Sequence, residues 1–128
     1  MKILGVGVDI VKNDRIKILT GKKNFIFRTF TKNEIKFSKK KNTKISFFAK
    51  RFAAKESFSK SLGTGIRDDL NFKDIEILND KLGKPYFRKT KKINNLIYKK
   101  FKVKKYNLYL SISDEKDYSI AFTIIQKQ

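Results

Sequence analysis

From Ile3 to Val11 the chain alternates like an extended segment. Leu4, Val6, Val8 and Ile10 share one face; Ile3, Gly5, Gly7, Asp9 and Val11 share the other. The pattern predicts a strand with a single carboxylate, Asp9, on the face that also carries two glycines. Glycine weakens a strand and marks a place where something approaches the backbone closely. Gly5 and Gly7 are therefore expected to clear a path beside Asp9, which points to a ligand.

Further along, "TKNE", Thr31 to Glu34, has the form of a capping box and predicts a helix running to about Lys40. From Lys44 to Leu62 there is no Gly or Pro, helix formers dominate, and Phe47, Phe48, Phe52, Ala53, Ala54 and Phe58 give a broad apolar face. A long helix is expected there, stopped by "GTG" at Gly63 to Gly65. A short strand around Asp74 to Leu78, a turn through "NDKLGKP" and a strand near Tyr86 to Arg88 predict a hairpin. Ile93, Leu96, Ile97 and Phe101 mark a second amphipathic helix. "YNLYLSIS" and "YSIAFTII" both alternate about the polar "DEKD" turn, as a closing antiparallel hairpin does. The fold class expected is α+β, an antiparallel sheet packed with the long helix.

Length and composition narrow the picture. A chain of 128 residues suits one domain with a real core. The apolar content of 40% and 12 phenylalanines exclude a disordered chain. Histidine and cysteine are both absent, so disulfides, thiolate zinc sites and histidine bases are excluded. Any chemistry must use carboxylates, lysines and hydroxyls. The N-terminal apolar stretch is too short to span a membrane and is cut by Asp9, so neither a signal peptide nor an anchor is expected, and the protein is placed in the cytoplasm. The net charge of +20 suits an acidic partner, although part of it reflects a composition rich in Lys, Asn, Ile and Phe.

Glu56 and Lys60 lie one helical turn apart on the long helix. The bland reading is an exposed ion pair worth about 0.2–0.5 kcal/mol. Arg51 just upstream, small Ala53 and Ala54, and the glycine turn that follows favour a polyphosphate site instead, with backbone amides of Gly63 to Gly65 holding a phosphate. Mg²⁺ takes hard oxygen ligands, commonly one or two carboxylates plus substrate phosphates. Asp9 is the natural second acid. "GVG" lacks the third glycine of a dinucleotide fingerprint, "GTGIRDD" lacks the spacing and lysine of a phosphate-binding loop, and Ser111 or Ser113 has no histidine to activate it.

The stretches "GVGVDIV", "RFAAKESFSKSLGTGI", "DIEILNDKLGKPYF" and "LSISDEKDYSIAF" resemble, in order and spacing, the holo-acyl-carrier-protein synthases of the phosphopantetheinyl transferase superfamily. The resemblance implies a 4'-phosphopantetheinyl transferase-like fold. It also implies Mg²⁺-dependent transfer of the phosphopantetheine arm of coenzyme A to a serine of apo acyl carrier protein, in fatty acid biosynthesis. Homotrimers with sites between subunits go with it. By position, Asp9 and Glu56 look like the metal acids and Lys60 like the phosphate lysine. Arg51, Gly63, Thr64 and Gly65 look like contacts to coenzyme A phosphates, and Pro85 like a neighbour of the nucleotide. Arg15 looks like a basic residue facing the acidic carrier, with Ile16 and Leu19 as apolar contacts. Asp114 departs from the pattern, which usually has histidine there. It is expected to point away from the phosphates, with Lys116 as a local partner.

A small basic RNA- or DNA-binding domain is the alternative. It accounts for the charge but has no use for Asp9 and Glu56, since carboxylates repel phosphates unless a metal intervenes.

Overall fold

A computed structural model describes residues 2–67 and 69–128. In chain order the elements are β1 (Lys2–Lys12), α1 (Asn13–Thr20), α2 (Phe25–Thr29), α3 (Lys32–Ser38), α4 (Lys44–Leu62), a single 3-10 turn (Phe72–Asp74), β2 (Ile77–Asn79), β3 (Pro85–Phe87), α5 (Lys91–Phe101), β4 (Tyr106–Asp114) and β5 (Tyr118–Lys127). The long strands form an antiparallel sheet in the order β1-β5-β4, and β2-β3 is a separate two-stranded hairpin. The class is the α+β one expected, with α4 laid across the sheet.

The glycine expectation needs correction. A Cβ on Gly5 would stand 2.0 Å from the Ser61 carbonyl oxygen, and one on Gly7 would stand 1.9 Å from that of Ser57. The two glycines make room for the backbone of α4, not for a ligand. Their effect on Asp9 is indirect: they let strand and helix close up, so that Asp9, two residues on, is carried to the side of α4.

Because α4 is covered by the sheet on one side and by α1 and α3 on others, it is buried nearly all round. That suits a helix without a strong polar face. Its buried serines satisfy themselves by back-bonding: Ser57 Oγ donates to the Ala54 carbonyl at 2.8 Å and Ser61 Oγ to that of Phe58 at 2.6 Å. Phenylalanines fill the space toward α2 and α3, with Phe30 and Phe48 ring centroids 4.7 Å apart.

The capping box at Thr31 and Glu34 forms as predicted. Glu34 does more than cap. Its carboxylate pairs with Lys55 Nζ at 2.8 Å, both side chains fully buried, and accepts the Ile77 amide at 3.1 Å. Lys55 also donates to the carbonyls of Phe72 and Ile75, so one buried cation ties α4 to the segment leading into β2.

Two elements were not anticipated, α1 and α2. Both are short, and neither has a side-chain N-cap to announce it. The strand expected at Asp74 to Leu78 begins later, at Ile77, because Asn71 and Asp74 cap a 3-10 turn there.

Candidate active site

Asp9 leaves the core face of β1 at the edge of α4. Lys60 Nζ meets its Oδ1 at 3.0 Å and donates to the Val8 carbonyl at 3.2 Å. Glu56 lies one turn before Lys60, half-buried, and its carboxyl is pushed above the usual range, first by burial and then by the negative charge of Asp9. Lys60 and Arg15 pull the other way. Arg15 is held over the Phe52 ring at 5.6 Å, one helical turn from Glu56. Two acids and two cations thus converge where β1, α1 and α4 meet, which joins Asp9, Glu56 and Lys60 as the sequence predicted and adds Arg15 to them.

Arg51 is not in that group. It lies about 140° around α4 from Glu56 and is 5% exposed. Its guanidinium stacks on Phe47, 4.6 Å from the ring centroid, and Nη2 donates to the Asn79 side-chain carbonyl. Burial lowers its pKa to about 10, Glu34 partly offsetting this, so it stays charged at neutral pH. Pro85 opens β3 opposite Asn79, the residue to which Arg51 donates.

The turn Gly63 to Gly65 is also corrected as a cradle of amides. Gly63, with φ of 80°, is the left-handed cap of α4, and its N–H donates to the Lys60 carbonyl at 2.9 Å. The Gly65 N–H donates to the Ser59 carbonyl at 3.2 Å. Both amides are spent at the carbonyl end of a helix, where the dipole disfavours anions. Thr64 instead lines a cavity of about 280 Å³ together with Leu62, Arg67, Leu70, Leu96 and Lys100.

Of the residues expected to face a partner, Arg15 is exposed, Leu19 is half-buried and Ile16 is wrong: its exposure is 0%. On a helix, residues two apart point to nearly opposite sides. With Ile16 inward, Ile18 is outward, 66% exposed, on the same face as Arg15. Phe27 on α2 is 67% exposed. Their exposure follows from α1 and α2, two helices that no side-chain cap announces in the sequence. Asp114 accepts a hydrogen bond from Ser46 Oγ at 3.1 Å, at the start of α4, in place of the expected pairing with Lys116.

The residues fit Mg²⁺ better than a metal needing a full protein cage. Among the described residues no group of three or more metal-binding side chains occurs. Two carboxylates near enough for one to raise the other's pKa suit an ion that takes the rest of its shell from phosphates and water. Among the described residues no helix is long and apolar enough to cross a membrane.

Comparison with known proteins identifies the family. A family profile described as the 4'-phosphopantetheinyl transferase superfamily matches residues 5–123. A holo-[acyl-carrier-protein] synthase of Pelagibacter ubique (strain HTCC1062) is 57% identical over 128 residues, covering 100% of both chains. The crystal structure of the holo-[acyl-carrier-protein] synthase from Neisseria meningitidis superposes with a TM-score of 0.88 at 36% identity, covering 98% of this chain and 100% of that one. The Bacillus anthracis synthase in complex with CoA (3',5'-ADP) gives 0.82 at 33% identity, covering 98% of each. The chain belongs to the 4'-phosphopantetheinyl transferase superfamily and, within it, to the holo-[acyl-carrier-protein] synthases.

Proposed function

From that membership we propose that the protein transfers the 4'-phosphopantetheine arm of coenzyme A to a serine hydroxyl of apo acyl carrier protein, releasing 3',5'-ADP, in the cytoplasm. The observation that carries the reading is the convergence of Asp9, Glu56 and Lys60 where β1 closes on α4. Asp9 and Glu56 would hold Mg²⁺, which when bound neutralises charge on the pyrophosphate. Lys60 directs its ammonium to the phosphate under attack. In a chain without histidine, Glu56 takes the serine proton as the serine oxygen bonds to the phosphopantetheine phosphorus. The bond from that phosphorus to the bridging oxygen breaks, and 3',5'-ADP leaves with the electron pair.

The carrier docks on α1 and α2. Arg15 supplies charge for an acidic partner, and Ile18, Leu19 and Phe27 supply apolar contacts in place of Ile16.

The nucleotide end of coenzyme A goes to Arg51 and Pro85, with Thr64 toward the arm. Arg51 and Glu56 face different sides of one helix, so a complete site between two copies of the chain accounts for both. The outer face of the sheet supports such an assembly: Val6, Val8, Ile10, Ile120 and Phe122 are all exposed on it. A homotrimer is the arrangement proposed.

The test is incubation with apo acyl carrier protein, coenzyme A and Mg²⁺, followed by mass spectrometry of the carrier. Addition of the phosphopantetheine arm to its serine is expected. An unmodified carrier, with a known synthase active in the same mixture, overturns the reading. Sedimentation of the free protein as a monomer at assay concentration overturns the trimer alone.

A further inference from the structure

Among the contacts that join the hairpin β2-β3 to α4 is a polar side chain that the proposed reaction has not used. Asn79, the last residue of β2, accepts from Arg51 Nη2 with its carbonyl oxygen and donates from Nδ2 to the Gly83 carbonyl at 2.8 Å. A guanidinium only donates and a peptide carbonyl only accepts, so the amide can sit in one orientation. Both ends of Asn79 are needed, and no other residue of its size supplies a donor and an acceptor in those places.

The turn it grips is already stiff. The Asp80 carboxylate accepts the amides of Leu82 and Lys84, both at 2.9 Å. The Asp80 N–H donates to the Lys84 carbonyl at 2.9 Å, and Gly83 takes φ of 86° and donates to the Asp80 carbonyl at 3.0 Å. On the other side, Phe47 packs against the Arg51 guanidinium, and Arg51 Nε is buried without a hydrogen-bond partner among the described residues. Arg51 therefore keeps donor capacity while its position is set by Phe47 and Asn79. Two pieces distant in sequence, the arginine of α4 and the Gly83–Pro85 turn, are set in register by one amide.

We propose that Asn79 is a positioning residue for the nucleotide end of coenzyme A, fixing the Arg51 guanidinium to the Gly83–Pro85 turn so that the two meet the ligand as one preformed surface. This rests on the reading that Arg51 and Pro85 lie at that end. Asn79 touches no substrate. Its effect comes from removing the freedom of a long cation that binding would otherwise have to freeze.

The experiment uses the full-length protein and two readouts: calorimetric affinity for 3',5'-ADP, and separate Michaelis constants for coenzyme A and carrier protein. Asn79→Ala should weaken 3',5'-ADP binding and raise KM for coenzyme A by about tenfold. The carrier KM and kcat should move by no more than about twofold. Asn79→Asp keeps the size and the acceptor for Arg51 but sets a carboxylate against the Gly83 carbonyl and neutralises the arginine, so it should bind 3',5'-ADP no better than Asn79→Ala. Combining Asn79→Ala with Arg51→Ala should cost little beyond Arg51→Ala alone, because the two act as a unit.

If Arg51→Ala weakens 3',5'-ADP binding and both Asn79 variants leave it unchanged, the inference fails and the reading of Arg51 stands. If neither position matters, that reading fails and the inference with it. A fall in kcat and a rise in both Michaelis constants together, additive with Arg51→Ala, would mean that Asn79 only holds the fold, which also overturns the proposal. Should Asn79→Ala not fold, the isosteric Asn79→Asp decides on the same readouts.

Discussion

Gly7 passes under Ser57 so closely that a single added methyl group would stand 1.9 Å from the Ser57 carbonyl oxygen and 2.7 Å from the Ser61 nitrogen. Both neighbours are helix backbone, which cannot swing aside as a side chain can. The same approach carries Asp9 to Glu56 and Lys60, so packing and chemistry depend on one missing Cβ. Gly7→Ala is expected to cost about 3 kcal/mol, the upper end of ordinary overpacking, and to depress transfer even at a temperature where the variant stays folded. Urea unfolding and a transfer assay in the cold check both halves. A variant of normal stability and normal rate would show that strand and helix need not be this close.

Removing either acid separates metal binding from folding. Asp9→Ala and Glu56→Ala should nearly abolish transfer at every Mg²⁺ concentration while leaving the circular dichroism spectrum unchanged, because neither side chain belongs to the apolar core. Activity restored by saturating Mg²⁺ in both would sink the assignment.

Lys60 is half-exposed on Asp9, so the fold does not depend on it. Its charge matters for the transition state. Lys60→Ala should lower kcat by about a hundredfold, the scale of losing one preorganised charge donor, with little change in KM for the carrier. A change confined to the carrier KM would place Lys60 at the docking surface instead.

Ile18 and Ile16 make a paired test of the docking face. Ile18→Asp should raise the carrier KM by about tenfold or more through loss of apolar burial and repulsion of an acidic partner, leaving 3',5'-ADP affinity unchanged. Ile16→Asp, in a position with no exposure, should prevent stable folding. Carrier KM should also climb with salt, since exposed charges are screened beyond about 8 Å at physiological ionic strength. A carrier KM indifferent to Ile18→Asp would move the docking surface off α1.

Part of this arrangement is legible in the sequence. The long helix was readable to the residue, because an unbroken run of helix formers ended in Gly63. Asp9, Glu56 and Lys60 were readable as candidates, because β1 carries a single carboxylate and Glu56 and Lys60 stand one turn apart on a legible helix. What the glycines met was not readable: close approach to a helix and close approach to a ligand leave the same mark on a strand. Neither was the fate of the Gly63 and Gly65 amides, which depends on which carbonyls the helix end leaves open. Ile16 was misassigned because an eight-residue helix with Lys12 at its N-cap leaves little periodicity to reveal which side faces in.

The last expectation concerns the charge that the site tolerates. Burial, and then Asp9, raise the Glu56 carboxyl above its ordinary value near 4.5, with Lys60 and Arg15 offsetting part of the effect. A group whose folded pKa is raised contributes stability that is fully present below its unfolded value and is lost as the pH rises through the folded value. Above that folded value the wild-type protein without metal therefore carries an ionised carboxylate in a place that disfavours it. Glu56→Gln keeps the shape and drops the charge. In a chelating buffer at pH 7 this variant should melt at a higher temperature than the wild type while being inactive in transfer with Mg²⁺ restored. The gain should shrink as the pH falls and vanish below about 4.5, where the wild-type carboxyl is itself protonated. Melting curves of both proteins across that range decide the matter. A variant less stable than wild type at pH 7, or a gain that persists undiminished at pH 4, would mean that Glu56 rests in a favourable place and that its carboxylate is not held at a cost for the reaction.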